Sequence, residues 1–141
     1  MTFDWILACS ACDNTRAPDG LPTVCDRCGQ PWLVKYQREA PTVTARAEVR
    51  RGHGMWRFKP FMPLLPGEQP VTLGEGDTPL LHLPRTGAGL GLPNLWLKDD
   101  TRNPTNSFKD RVVAVAAARA VEFGCDTLAC AATGNLAGAT A

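Results

Sequence analysis

The chain has 141 residues, enough for one small domain or two very small ones. Its formal net charge of +1, with 21% charged residues, gives no electrostatic case for nucleic acid or a membrane surface as partner. No apolar run reaches the length of a membrane span, and the first residues lack the pattern of a secretory signal, so we expect a cytoplasmic protein.

Four of the six cysteines form two C-x2-C pairs near the start of the chain. Cys9 pairs with Cys12 and Cys25 with Cys28, and two such turns facing each other would offer zinc a tetrahedral set of thiolates. Two disulfides or four free thiols are the alternatives, but disulfides are not expected without a secretory signal. A matched second pair also favours metal over a redox-active pair. We therefore predict a zinc-ribbon-like domain over residues 1–38 with these four cysteines as structural zinc ligands.

Residues 39–93 are dense in proline and glycine and have no long periodic run, so they are expected to be a connecting segment. Short strands are predicted at residues 71–73 and 80–83. His53 and His82 have no plausible ligand or base partner nearby in the sequence, and both are expected to be structural residues.

The pattern changes to that of an α/β domain from residue 94 onward. Residues 95–98 and 127–132 indicate strands, residues 107–123 an amphipathic helix, and residues from 135 a second helix. Strand, helix and strand in this order predict a βαβ unit with a parallel sheet, whose ligands collect at the carboxyl ends of the strands. The last helix has no ending signals, so we expect the chain to be the N-terminal part of a longer protein.

A lysine, Lys109, lies in the first turn of the predicted helix. Ser107 is a good N-cap, Asp110 suggests a capping box, and Gly124 suits the C-terminus. A cation at this end opposes the helix dipole, which favours the neutral amine that attacks a carbonyl group. On position alone, an ordinary exposed lysine is the alternative.

Three sequence blocks resemble the fold-type II pyridoxal-phosphate (PLP) enzymes. The lysine motif at residues 97–111 looks most like that of the threonine synthase family, because Asp110 follows the lysine. The block Leu-Gly-Glu-Gly-Asp-Thr-Pro-Leu at residues 73–80 is similar to the segment ahead of that motif in the family. Residues 132–135, Ala-Thr-Gly-Asn, resemble the family's asparagine loop. The blocks occur in family order and cover roughly residues 55–141.

This resemblance implies a fold and an activity. Residues 94–141 would start a PLP-binding domain, an incomplete parallel-sheet βαβ unit of the fold-type II class. The activity implied is conversion of O-phospho-L-homoserine and water to L-threonine and phosphate, by an enzyme that is a homo-oligomer at full length. Another lyase or synthase of this fold type, such as a cysteate synthase or a threonine dehydratase-like enzyme, is the alternative. A zinc-ribbon binding module without catalysis is a third possibility, disfavoured by the scattered charges around the cysteines.

The resemblance also implies roles for residues. Lys109 would carry the cofactor and move protons, and Asn135 would contact the 3′-oxygen of the cofactor ring. Thr133, Gly134 and the helix start at Asn135 would receive the substrate carboxylate, a role that suits free N–H groups at a helix N-terminus. The alternative for this loop is a plain turn in which Thr133 or Asn135 caps the helix.

Two departures from the family pattern stand out. Leu136 follows the asparagine where some relatives carry a hydroxyl group, which puts the substrate in question. Asn106 stands where glycine is frequent, and a positive φ angle, which asparagine accepts, would accommodate it. The residues for the cofactor phosphate and the pyridine nitrogen would lie beyond residue 141, so we expect the 141 residues alone to bind PLP poorly.

Overall fold

A small antiparallel sheet forms the N-terminal part of the chain. The computed structural model describes residues 5–37, 47, 49–65 and 70–141, so the predicted boundary at residue 38 lies outside the described part. Strands β1 (Trp5–Cys9), β2 (Thr15–Arg16) and β3 (Trp32–Tyr36) lie in the order β2-β1-β3. The central strand β1 ends at a cysteine that pairs with the first residue of β3, so the sheet carries the first cysteine turn.

The connecting segment contains a 3-10 helix at Met55–Phe61 but no strand at residues 71–73, so that prediction is wrong. The Thr72 hydroxyl and the Leu73 N–H instead donate to the carboxylate of Glu75, at 2.5 and 3.0 Å. The Leu73 N–H thus binds a side chain instead of the carbonyl group of a neighbouring strand.

Strands β4 (Leu80–His82) and β5 (Trp96–Lys98) match the predictions for residues 80–83 and 95–98 to within one residue at an end. They pair antiparallel with each other, with Leu81 opposite Leu97. A short helix α1 (Pro84–Gly89), which the sequence analysis did not predict, joins them. His82 stacks on the ring of Trp96 at 4.7 Å between centroids.

Helices α2 (Lys109–Glu122) and α3 (Asn135–Thr140) confirm the two predicted helices and pack against each other. The predicted strand at residues 127–132 is wrong, because that segment has no β-structure and no strand of the described chain pairs with it. A strand needs a neighbour to bond to, and β5 pairs with β4 rather than with residues 127–132. The parallel βαβ unit is therefore not formed among the described residues, although the content is mixed α/β.

Many buried residues are polar in the block at residues 73–80 and in the lysine motif at residues 97–111. Ala114 and Ala118 are the buried apolar residues of α2, and their small side chains allow close approach of neighbouring segments. Five polar residues of the described chain are also buried, and all lie in residues 72–111: Glu75, Thr78, Asn103, Ser107 and Asp110. Within the described ranges, no helix is both long and apolar enough to span a lipid bilayer.

Candidate functional site

Lys109 is the first residue of α2 and so lies in its first turn, as predicted, and the residues before it hold the turn closed. Phe108, not Ser107 as predicted, holds the N-cap position, but the Ser107 hydroxyl still accepts a hydrogen bond from the Lys109 N–H at 3.1 Å. Asp110 does not bond to Ser107 as the predicted capping box requires. Asp110 accepts from the N–H of Thr105 at 2.8 Å and from the Thr105 hydroxyl, because Asn106 (φ 58°) turns the chain back over the helix start. The positive φ expected for Asn106 is confirmed.

The amine of Lys109 lies beside an aromatic ring. The side chain is half-buried, and its Nζ atom lies 4.8 Å from the centroid of the Phe108 ring. Phe108 itself is 59% exposed, so its ring forms an open wall next to the amine. The first turn of α2 therefore holds the amine of Lys109 against a flat ring.

An ion pair anchors the same turn from the other side. Arg111 donates to Asp100 at 2.8 and 3.0 Å, and Thr78 donates its hydroxyl to Asp100 at 2.7 Å. The hydrogen bonds from Arg111, and then the one from Thr78, lower the pKa of Asp100 to about 2. The same pairing raises the pKa of Arg111. A permanently charged pair therefore joins α2 to the turn after β5 and to the block at residues 73–80.

Glu75 organises the block at residues 73–80 from within. It is 3% exposed and accepts hydrogen bonds from Thr72, Leu73 and the indole N–H of Trp56, the last at 3.3 Å. Burial alone would raise the pKa of Glu75, but these donors outweigh burial and lower it. The carboxylate thus replaces a strand partner for this loop.

Close backbone packing fixes where the block lies. Gly76 has φ 102°, and a Cβ atom there would lie 2.3 Å from the backbone nitrogen of Met55. Asp77 accepts from the Gly54 N–H at 2.7 Å, and that bond, with the charge of Arg57, lowers the pKa of Asp77. Only glycine allows the two segments to run this close.

Asn103 links this block to the lysine motif. Its side chain is buried, accepts from the Gly76 N–H at 3.2 Å and donates to the carbonyl of Asp100 at 2.9 Å. Lys98 also donates to the carbonyl of Thr78. The sequence analysis assigned no role to these residues. The only sequence feature that points to them is the resemblance of the two blocks to one family. Contacts between residues 20 or more positions apart produce no spacing pattern in the sequence.

The predicted asparagine loop lies at the start of α3. Thr133, Gly134 and Asn135 are exposed, and Gly134 holds the N-cap position without a side-chain hydrogen bond, so neither neighbour caps the helix. Among the described residues, no hydrogen bond or ion pair joins Lys109 to these three. The structure brings their two helices together, while the roles of the loop residues stay predictions.

The four predicted metal ligands come together. The Sγ atoms of Cys9, Cys12, Cys25 and Cys28 all lie within 4.8 Å of one another, and the shortest separation, Cys9 to Cys28, is 3.3 Å. That distance excludes a disulfide, whose sulfurs lie about 2.05 Å apart. Four sulfurs at about 2.3 Å from a tetrahedral zinc ion would be separated by about 3.8 Å. The donor set therefore fits zinc in both chemistry and spacing.

The surroundings of the four sulfur atoms lower the pKa of one thiol and raise that of another. Burial alone would raise the pKa of Cys25, but the Asn14 amide and two backbone N–H groups outweigh it and lower the pKa to about 6. The Gln30 N–H favours the Cys28 thiolate, but Cys9 and the other sulfurs outweigh it and raise the pKa of Cys28 to about 12. Crowded thiols of this kind lose their remaining protons when a metal ion binds.

Comparisons with known proteins point to one family. A family model described as "Pyridoxal-phosphate dependent enzyme" matches residues 71–141. A curated threonine synthase of Methanosarcina acetivorans is 32% identical over 135 residues, 96% of this chain and 33% of that protein. The threonine synthase of Methanocaldococcus jannaschii is 32% identical over 128 residues, 90% of this chain and 32% of that protein.

The similarity is higher over a shorter stretch in a further relative. The threonine synthase of Halalkalibacterium halodurans is 42% identical over 84 residues, 60% of this chain and 23% of that protein. No solved structure matches the chain. The chain spans about one third of the length of the first two relatives.

Proposed function

Because the chain belongs to the family of pyridoxal-phosphate dependent enzymes, we propose that it supplies the lysine-bearing part of a threonine synthase. The reaction proposed is the conversion of O-phospho-L-homoserine and water to L-threonine and phosphate. The observation that carries the proposal is a lysine held at a helix start, inside the matched region of a chain that is similar to several threonine synthases.

The residues present fit the cofactor at its reactive end. PLP offers an aldehyde and a flat ring, and Lys109 offers a half-buried amine beside the flat ring of Phe108. Asn135, at the start of the neighbouring helix, is proposed to contact the 3′-oxygen of the cofactor ring. Thr133 and Gly134 are proposed to receive the substrate carboxylate. When bound, PLP supplies an electron sink for charge that develops on the substrate.

The protein's own part in this chemistry is to present one nitrogen atom. Lys109 Nζ would hold the cofactor and would move a proton at the carbon that bears the substrate's amino group. Ser107 and Asp110 keep the turn closed, and the Asp100–Arg111 pair holds it against the block at residues 73–80. A nitrogen positioned in this way loses little freedom on binding.

Borohydride trapping tests the assignment of the lysine. The full-length protein is mixed with PLP, reduced, digested and analysed by peptide mass spectrometry. We expect Lys109 to be labelled at lower PLP concentrations than Lys35, an exposed lysine of β3, and Lys109→Ala to lose only the first label. Equal labelling of the two lysines would contradict the proposed role.

A substrate panel on the full-length protein tests the reaction. Release of phosphate from O-phospho-L-homoserine, with formation of threonine, is the expected result. Deamination of threonine without phosphate release would indicate a dehydratase-like enzyme. Formation of cysteate from O-phosphoserine and sulfite, with release of phosphate, would indicate a cysteate synthase.

We also propose that the cysteine cluster binds a structural zinc ion. Its support is the spacing of the four sulfur atoms, and four protein ligands leave no position for a reacting molecule. Elemental analysis of the purified chain is expected to give about one zinc ion per chain. Cys25→Ser should lose this zinc, while Cys130→Ser, which changes a cysteine outside the cluster, should retain it. Equal zinc contents in the two variants would refute the site.

A further inference from the structure

Arg119, in the last turn of α2, contacts the N-terminal sheet across about a hundred residues of sequence. Only 15% of its side chain is exposed. Its guanidinium carbon lies 5.2 Å from the ring centroid of Trp5 and 4.2 Å from that of Phe123. Its Nη2 atom donates to the carbonyl of Pro18 at 3.2 Å. The flat cation is thus held between two rings and bonded to the backbone of the cysteine-bearing part.

Glu122 completes this contact and adds a third segment. Its side chain is 2% exposed, and it pairs with Arg119 one helical turn away. Its other oxygen accepts a hydrogen bond from the Leu65 N–H at 2.8 Å. One desolvated ion pair therefore joins the N-terminal sheet, the connecting segment and α2. Removing one member of a pair that has lost its water leaves the other charge uncompensated.

The remaining contact between these parts is open. A groove of about 340 Å³ lies between the sheet and the helix, lined among others by Trp5, Leu21, Trp32 and Phe123. Beside this groove, Arg119 is a group of α2 that bonds directly to the N-terminal part.

We propose that Arg119 is a positioning residue that couples the cysteine-bearing sheet to the helix that starts at Lys109. In this arrangement the fold of the N-terminal part determines how firmly the far end of α2 is held. Losing that fold releases Pro18 and Trp5 and leaves Arg119 with Glu122 and Phe123, its neighbours at the end of α2. The coupling depends on the contacts of Arg119 and requires neither a bound cofactor nor the proposed reaction.

Hydrogen exchange measured by mass spectrometry on the 141-residue chain tests this coupling in a mutant cycle. Cys25→Ser disrupts the sheet, Arg119→Gln removes the joint, and the double variant combines them. We expect each single change to raise exchange at the end of α2 about tenfold, and the double variant to exchange no faster than either single one. Multiplying effects, or no effect of Cys25→Ser on α2, would overturn the proposal.

Further variants keep the test decisive if Cys25→Ser fails to fold. Trp5→Leu removes one of the two rings while leaving the cysteines in place, and should reproduce the effect on α2. Arg119→Lys keeps the charge opposite Glu122 but loses the flat fork, so it should behave like Arg119→Gln. Arg85→Gln, at an exposed arginine of α1, should change nothing in α2. Wild-type protection in Arg119→Lys would overturn the proposed geometry.

Discussion

Separating Asp100 from Arg111 is expected to loosen the turn that presents Lys109. Arg111 lies two residues after the lysine, and its guanidinium group makes two hydrogen bonds to Asp100, at 2.8 and 3.0 Å. Their side chains are 28% and 31% exposed, so water competes with the pair only in part. Asp100→Asn and Arg111→Gln each keep the size of the side chain and remove one charge.

The magnitude follows from the pKa of Asp100. A pKa of about 2 is nearly two units below the ordinary value of the carboxyl group, and one unit corresponds to about 1.4 kcal/mol. Because the pair is partly exposed, we discount this upper value and expect a coupling of about 1–2 kcal/mol. Because its pKa is lower in the folded state, the charged form of Asp100 stabilises the folded protein. Its contribution is therefore full above about pH 4 and is lost as the pH falls from about 4 to about 2.

Urea unfolding of the wild type, both single variants and the double variant measures the coupling directly. The exposed pair of Asp13 and Arg27 is the control, because its 2.7 Å distance is similar while its side chains are 87% and 65% exposed. We expect no measurable coupling in the control pair. Equal coupling in both pairs, or an Asp100–Arg111 coupling that survives at pH 2, would refute this reasoning.

Three backbone and capping changes in the same region have separable outcomes. Gly76→Ala should lower the unfolding free energy by more than about 2 kcal/mol, because the added methyl group meets backbone atoms. Gly74→Ala, at a φ of 89° in open space, should lower it by about 1 kcal/mol. Equal losses in thermal unfolding would argue against the close packing. Asn106→Ala should cost about 1 kcal/mol and Asn106→Gly almost nothing in urea unfolding, and the reverse order would contradict the positive φ. Ser107→Ala should lower the unfolding free energy by about 1 kcal/mol, because it removes the acceptor of the Lys109 N–H, and Ser107→Thr should retain most of the stability. An unchanged alanine variant would show that this hydrogen bond does not stabilise the helix start.

Local signals predicted much of this fold correctly. Helix α2 was expected at residues 107–123 and spans Lys109–Glu122, because apolar spacing and end residues both lie within the segment. Gly124 indeed ends it with a positive φ of 72°. The cysteine cluster was likewise predictable, since each pair needs only its own turn to aim two sulfurs at one point.

Partners distant in sequence explain the errors. Residues 127–132 have the apolar composition of a buried strand, but a strand requires a neighbour that composition does not name. Strands β4 and β5 were both predicted, but their antiparallel pairing with each other was not. Glu75, Asp100 and Asn103 act on segments that approach them only after folding, so their roles became visible only with the structure. The geometry between Lys109 and the loop at residues 133–135 stays a prediction.

Around Lys109, the interior consists of hydrogen-bonded polar groups rather than of oil-like packing. Exposing apolar surface on unfolding raises the heat capacity, and exposing polar surface lowers it, so the two terms oppose each other here. The segment from Thr72 to Arg111 should therefore melt with an unusually small heat-capacity change and a shallow stability curve. Such a scaffold would keep the stability of its lysine turn nearly constant between cold and warm conditions.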